Sequence, residues 1–187
     1  RRLAINPEQI RKDLAFFGQF GKKGVGYYVA ELKESIGGIL GLDHHWNVAI
    51  VGMGHLGAAL ANYQGIARLG FHLAAIFDVN PVVIGTRVGE RRVEDIAYLA
   101  EIIAERDIQI GVIAVPAIHA QGIADKLVGA GIRGIWNFAP VNLHVPPHIP
   151  FVSEDLSVGL SSLSYYLTHT TGEGDNLSER FKESLIK

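Results

Sequence analysis

Apolar residues near the start of the chain follow the period of a helix. Ile10, Leu14 and Phe17 recur at i, i+4 and i+7, while Arg11 and Lys12 fall largely off that stripe. Asn6-Pro7-Glu8-Gln9 supplies a start for it: Asn6 can cap, Pro7 suits the first helical position, and Gln9 stands where a capping box needs it. A helix is predicted over residues 7–17. Gly18, Gly21, Gly24 and Gly26 then bracket Lys22 and Lys23, ahead of the β-prone Val25, Tyr27, Tyr28 and Val29. That pattern predicts a short hairpin with a basic tip. A second amphipathic helix is expected over 29–42, with a domain boundary at 41–46.

Beyond Trp46 the pattern becomes an alternation of short apolar runs with helical stretches. Strands are predicted at 48–51, 72–77, 108–115 and 132–138, and helices at 56–69, 93–105 and 119–130. Strands this apolar, separated by helices, imply a parallel sheet covered on both faces, a doubly wound α/β domain.

Length and composition narrow the class. A chain of 187 residues accommodates one generous domain with an appendage, not two large ones. The absence of cysteine removes disulfides, thiolate metal sites and cysteine nucleophiles, and favours a cytoplasmic location. No apolar run approaches the ~18 residues that a membrane span needs. The formal charge of −2 is unevenly placed: residues 1–33 carry seven Lys or Arg against three Asp or Glu, so the head is basic and the body acidic. A basic head suits contact with a polyanion such as nucleic acid, although a solvated basic face reads the same way.

The strongest local signal follows the first strand. Gly52-Met53-Gly54-His55-Leu56-Gly57 is a complete G-x-G-x-x-G that leaves a strand and opens a helix, and Asp78 ends the next strand roughly 20 residues on. This is the Rossmann dinucleotide fingerprint. Gly52 permits the tight turn, Gly54 lets the backbone approach a pyrophosphate, and Gly57 allows close helix packing. The pyrophosphate would rest on the helix start beside His55 and Leu56, where free N–H groups favour an anion. Asp78 would accept from the adenosine ribose hydroxyls, and no Arg follows in Val79-Asn80-Pro81 to welcome a 2′-phosphate, so NAD(H) is expected over NADP(H). Val115-Pro116 and Asn137-Phe138-Ala139-Pro140 close later strands at the carboxyl edge and are candidates for the nicotinamide side, although proline after a strand is also routine turn chemistry.

Catalysis needs more than a nucleotide. The candidate bases are His119, Lys126, His144 and His148, of which His119 is best placed, yet no orienting carboxylate stands at a recognisable spacing. His44 and His45 are adjacent rather than i, i+4, so no metal site is expected. A small NAD-dependent oxidoreductase and a nucleotide-binding regulatory module without DNA function, such as a CoA- or NAD-binding subunit, stay open as alternatives.

Taken together, the motifs resemble the bacterial Rex family of redox-sensing transcriptional repressors. The resemblance rests on Asn6 to Leu14, on Gly18-Gln19-Phe20-Gly21-Lys22-Lys23-Gly24-Val25-Gly26-Tyr27, and on Leu40-Gly41-Leu42-Asp43 with Trp46. It continues through the glycine loop, Phe77-Asp78-Val79, Ala114-Val115-Pro116, Asn137-Phe138-Ala139-Pro140 and Glu154-Asp155-Leu156. The R-K-D-L segment with the G-K-K-G-V-G-Y turn is its most specific part, because generic Rossmann enzymes carry nothing like it.

The resemblance implies a partial winged-helix DNA-binding domain over 1–42, beginning almost at the recognition helix and so without the family's first helices. A Rossmann NAD(H)-binding domain would follow over 43–153, and a C-terminal dimerisation helix and tail over 154–187, the helix swapped between subunits. Gln9, Arg11 and Lys12 would read a palindromic operator in double-stranded DNA, Lys22 and Lys23 would form the wing, and the protein would be a homodimer and not an enzyme. Tyr63 and Asp155 match positions that couple the nicotinamide state to domain rotation. Two segments depart from the family's pattern: Gln64 and Ile66 stand where Pro and Phe are usual, and residues 86–92 differ from the usual loop.

Overall fold

The computed structural model describes residues 6–18, 20, 21 and 26–169. Lys22 and Lys23, the expected wing, and the tail beyond His169 lie outside the described residues. The chain begins with helix α1 (Pro7–Ala15), where the Asn6 side chain accepts the Glu8 N–H at 2.9 Å, as the capping pattern predicts. Helix α2 (Val29–Ile39) follows. Neither helix buries a residue: α1 ends at Ala15, short of the expected residue 17, and both Ile10 on α1 and Phe17 beyond it are exposed instead of packed.

The sheet has seven strands: β1 (Trp46–Val51), β2 (Phe71–Asp78), β3 (Arg87–Val88), β4 (Arg91–Asp95), β5 (Ile110–Ile113), β6 (Gly134–Asn137) and β7 (Phe151–Ser153). Their order is β3-β4-β2-β1-β5-β6-β7, and every pair is parallel except β3 with β4. This is the Rossmann arrangement with a two-residue antiparallel strand added at one edge. Helices α3 (His55–Ala61) and α4 (Gln64–Arg68) link β1 to β2. Helix α5 (Leu99–Glu105) precedes β5, and α6 (Ala117–Gly129) links β5 to β6. A last helix, α7 (Val158–His169), follows the sheet.

Alternation along the strands separates two apolar layers. Ala49 and Val51 of β1 face the layer that α5 and α6 cover with Leu99, Ile102, Ile103, Ile123 and Leu127. Val48 and Ile50 face the other way, where Leu60 and Ala61 of α3 give only partial cover. The uncovered part is an apolar groove of about 1080 Å³, floored by Ile50, Val112 and Trp136 and walled by α4.

Two sequence expectations need correction. Residues 56–69 form two helices instead of one: the chain turns at Asn62, whose side-chain amide donates to the Ala58 carbonyl at 2.8 Å, and Tyr63 is extended. Residues 93–95, expected to open a helix, complete β4 against β2, and the helix waits until Asp95 accepts the Ala97 N–H and a 3-10 turn (Ile96–Tyr98) has passed. Residues 86–92 form the tight β3–β4 hairpin. Strand β7 was not anticipated.

Candidate nucleotide-binding site

Strand order reverses between β1 and β5, and the glycine loop leaves β1 at the carboxyl end of that reversal. Gly52 sits at φ +101°, a region open to glycine, and its N–H donates to the Phe77 carbonyl at 2.8 Å. A Cβ here would stand 2.5 Å from the Ala114 carbonyl oxygen, and a Cβ on Gly57 would stand 1.8 Å from that of Gly52. These two glycines are required by packing alone. Gly54 differs: its φ is −73°, and a Cβ there would meet nothing within 4 Å. Gly54 is the N-cap of α3, where glycine is favoured over alanine, and the open space above it gives a ligand room to lie against the backbone.

Asp78 at the end of β2 holds the loop. Its Oδ2 accepts the Met53 N–H at 2.6 Å and its Oδ1 accepts the Asn80 N–H at 2.8 Å. Each carboxylate oxygen has a second acceptor direction left for a hydroxyl. Val79 is exposed beside it, and Val82 and Tyr98, which follow the carboxyl ends of β2 and β4, are exposed as well. His55 is exposed and Leu56 half-buried at the start of α3. Val115 is half-buried, and Pro116 is the residue from which α6 starts.

The 137–140 segment divides. Asn137 is fully buried, and its amide nitrogen donates to the Ala139 carbonyl at 2.9 Å, the Val141 carbonyl at 3.3 Å and Ser153 Oγ at 3.0 Å. Its oxygen accepts the Ala139 N–H at 2.9 Å. Every polar atom of Asn137 is therefore spent inside the protein, which fixes the turn and leaves none for a ligand. Phe138 packs on Trp136 at 4.5 Å in the groove-side cluster, Ala139 is buried, and Pro140 is exposed.

Sequence reasoning missed Gln121. Gln121 of α6 clamps the His144 main chain, donating to its carbonyl at 3.0 Å and accepting its N–H at 2.9 Å. Neither contact leaves a local pattern, because a polar side chain in a turn or on a helix face looks like any solvated residue.

The remaining candidates are dispersed. Tyr63 is exposed and lies over Gly65, where a Cβ would come within 2.5 Å of its ring. Asp155 accepts from Ser157 N–H at 2.8 Å and Ser157 Oγ at 2.6 Å, bonds that hold its carboxyl below the usual carboxylate range. No contact joins Tyr63 to Asp155 among the described residues of the chain. On α1, Gln9 donates to Asp13 at 2.7 Å and Lys12 pairs with Glu8 at 3.7 Å, so both lie in i, i+4 pairs on an exposed helix beside Arg11. Lys126, His119, His144 and His148 are exposed, and none contacts a carboxylate among the described residues. No cluster of three metal-ligating side chains occurs among those residues, and no described helix is long and apolar enough to cross a membrane.

A glycine loop at the reversal of a doubly wound parallel sheet, pinned by an acid at the end of the adjacent strand, defines a nucleotide-binding α/β protein. Residues 43–141 match the CoA binding domain family. A redox-sensing transcriptional repressor Rex from Chloroflexus aurantiacus is 47% identical over 166 residues, covering 89% of this chain and 78% of that protein. The crystal structure of RSP in complex with beta-NAD+ and operator DNA is 40% identical, with a TM-score of 0.83 over 98% of this chain and 81% of that one. The structure of RSP with beta-NADH, also 40% identical, gives a TM-score of 0.77 over 94% of this chain and 78% of that one. The chain belongs to the Rex family of redox-sensing transcriptional repressors, which are regulators and not enzymes.

Proposed function

We propose that this chain works as a homodimer that holds NAD(H) at the glycine loop, binds a palindromic operator, and releases it when NADH replaces NAD+. The observation that carries this reading is the open space over Gly54 beside the Asp78 carboxylate. A pyrophosphate fits against that backbone at the N-terminal end of α3, next to His55 and Leu56, where N–H groups point outward. Asp78 then takes the adenosine ribose, and the exposed Val79, Val82 and Tyr98 offer apolar surface for the adenine. Val115 and Pro116 border the nicotinamide side with Pro140, while Asn137, Phe138 and Ala139 support that border from within. The dihydronicotinamide of NADH is neutral and can be buried among apolar groups; the oxidised ring is charged and resists burial without a partner. That difference in affinity is what shifts a two-state dimer, with Tyr63 and Asp155 as the switch residues.

The division into 1–42, 43–153 and 154–187 assigns DNA, nucleotide and dimer contacts in turn. α1 serves as the recognition helix of a winged helix, with Gln9, Arg11 and Lys12 exposed along it and Lys22 and Lys23 as the wing. Its Lys12–Glu8 pair is exposed on both sides, so exchanging Glu8 for a phosphate costs little. α7 carries exposed Leu160, Leu163 and Leu167 and buries none of its residues, while the groove on its own sheet stays open. A second copy's α7 in that groove satisfies both surfaces at once.

The test is anisotropy of a labelled palindromic operator titrated with the full chain, with NADH and then with NAD+, at one stated salt concentration. Binding that NADH abolishes and NAD+ spares is expected. Operator binding indifferent to both nucleotides would overturn the reading.

A further inference from the structure

The connection from α2 to the sheet is held by bonds at each step. Leu40 N–H donates to the Ile36 carbonyl at 3.0 Å and Leu42 N–H to that of Gly37 at 2.8 Å. Gly41 between them takes a left-handed φ of +66°, a helix stop that favours glycine. Trp46, the first residue of β1, turns its indole back so that Nε1–H donates to the Gly41 carbonyl at 2.9 Å, and its main-chain N–H donates to that of Gly70 at 3.0 Å. The His44 ring lies 5.6 Å from the Trp46 ring, and the Arg133 guanidinium 6.0 Å over it. Behind Trp46 the amino edge of the sheet is itself cross-tied. Asn47 Nδ2 donates to the carbonyls of Arg106 and Asp107, and Asn47 N–H donates to Gln109 Oε1 at 2.9 Å.

A loose glycine-rich linker would let α2 turn independently of the sheet. This segment does the opposite, because a directional hydrogen bond from the first strand fixes the residue that ends the helix. We propose that Trp46 is the positioning residue that couples the nucleotide domain to the DNA-reading segment: its indole N–H, locked on the Gly41 carbonyl, makes α2 follow β1. The inference rests on the function proposed above. α2 stands between α1 and the sheet in the chain, so any change in sheet orientation reaches α1 through this joint.

Trp46→Phe in the full chain keeps a ring beside His44 and Arg133 but removes the donor. Operator affinity is measured with and without saturating NADH, and NADH affinity is measured separately without DNA. Wild-type coupling is expected within about 5- to 150-fold, and in Trp46→Phe it falls below about twofold while NADH alone binds within about twofold of wild type. Full coupling in a folded Trp46→Phe protein overturns the proposal. Gly41→Ala, which strains the acceptor and leaves the indole in place, is the second variant: the same loss of coupling supports the proposal, and full coupling in both variants overturns it. If wild-type operator binding ignores NADH, the underlying function fails and the proposal falls with it, an outcome visible before any variant is tested.

Discussion

The main-chain N–H of Met53, in the glycine loop, donates to Asp78 Oδ2 across 2.6 Å, although the two residues are 25 apart in sequence. The acid that the dinucleotide fingerprint assigns to the ribose therefore also shapes the loop meant for the pyrophosphate. One hydrogen bond thus ties together the two halves of the proposed site.

Asp78→Asn separates these roles from simple packing. The carboxylate accepts two N–H groups with two oxygens, whereas an amide accepts with one and turns its NH2 toward the other. Leaving an N–H facing a donor costs about 1–3 kcal/mol, so the melting temperature falls. NADH affinity measured by calorimetry is expected to fall at least about tenfold, since about 1.4 kcal/mol of lost binding suffices. A destabilised variant that binds NADH at full strength would confine Asp78 to a structural role.

Two glycines of the same loop should respond in opposite ways. Gly57→Ala forces a methyl against the Gly52 carbonyl and is expected to cost about 1–3 kcal/mol of stability by overpacking. Gly54→Ala meets open space at an ordinary φ, so the fold loses no more than about 1 kcal/mol, the cost of alanine at an N-cap. Its NADH binding is nevertheless lost, because the methyl occupies the room kept for the pyrophosphate. Thermal melts beside an NADH titration check both, and unimpaired NADH binding by Gly54→Ala would place the phosphates elsewhere.

The doubly wound layout was legible because its signals are local. Val48 to Val51 is too apolar for a half-exposed strand, and the glycine loop with Asp78 names the site within a span of two strands. What escaped was non-local or too short. Strand β3 has two residues and β7 has three, below the length at which alternation can be read. Val93 fits either a helical stripe or a buried strand, and only its pairing with Ile76 decides. Asn137 stands at the carboxyl edge as a ligand candidate, but its amide folds back on Ala139 and Val141 in its own turn, and its bond to Ser153 depends on β7 arriving beside it. Gln121 escaped for the same reason, since its partner His144 lies 23 residues further on.

Asp155 ties the start of α7 to pH. Its bonds from Ser157 favour the ionised carboxylate, so its folded pKa lies below the ordinary value of 3.8. A depressed carboxylate contributes stability that is fully present above the unfolded pKa and is lost as pH falls through the folded value. Helix content measured by far-UV circular dichroism should therefore show a decline below about pH 3.8 that Asp155→Ala lacks, with the variant less helical at neutral pH. Identical acid profiles for the two proteins would mean that the Asp155 turn does not hold α7.

The geometry of α7 makes the strongest demand for a partner. Twelve residues at 1.5 Å each give a helix of about 18 Å, a length marginal for an isolated helix in water. Leu160, Leu163 and Leu167 follow along α7 at i, i+3 and i+7, Leu156 stands in the turn before it, and all four are more than half exposed. Fully burying a leucine contributes about 1.5–3 kcal/mol, so an acid in the middle of the stripe should dissociate a dimer held there. Leu163→Asp is expected to sediment as a monomer at concentrations where the wild type is a dimer. Trp136 on the groove floor reports the same event: its fluorescence shifts to the red as water enters, read as the change in emission between the wild type and Leu163→Asp, in both of which Trp46 is unchanged. Because Leu163 and Trp136 lie on separate surfaces of one chain, a red shift caused by Leu163→Asp requires the helix of one copy to cover the groove of another. A dimer that survives Leu163→Asp with unchanged Trp136 emission would place the interface elsewhere.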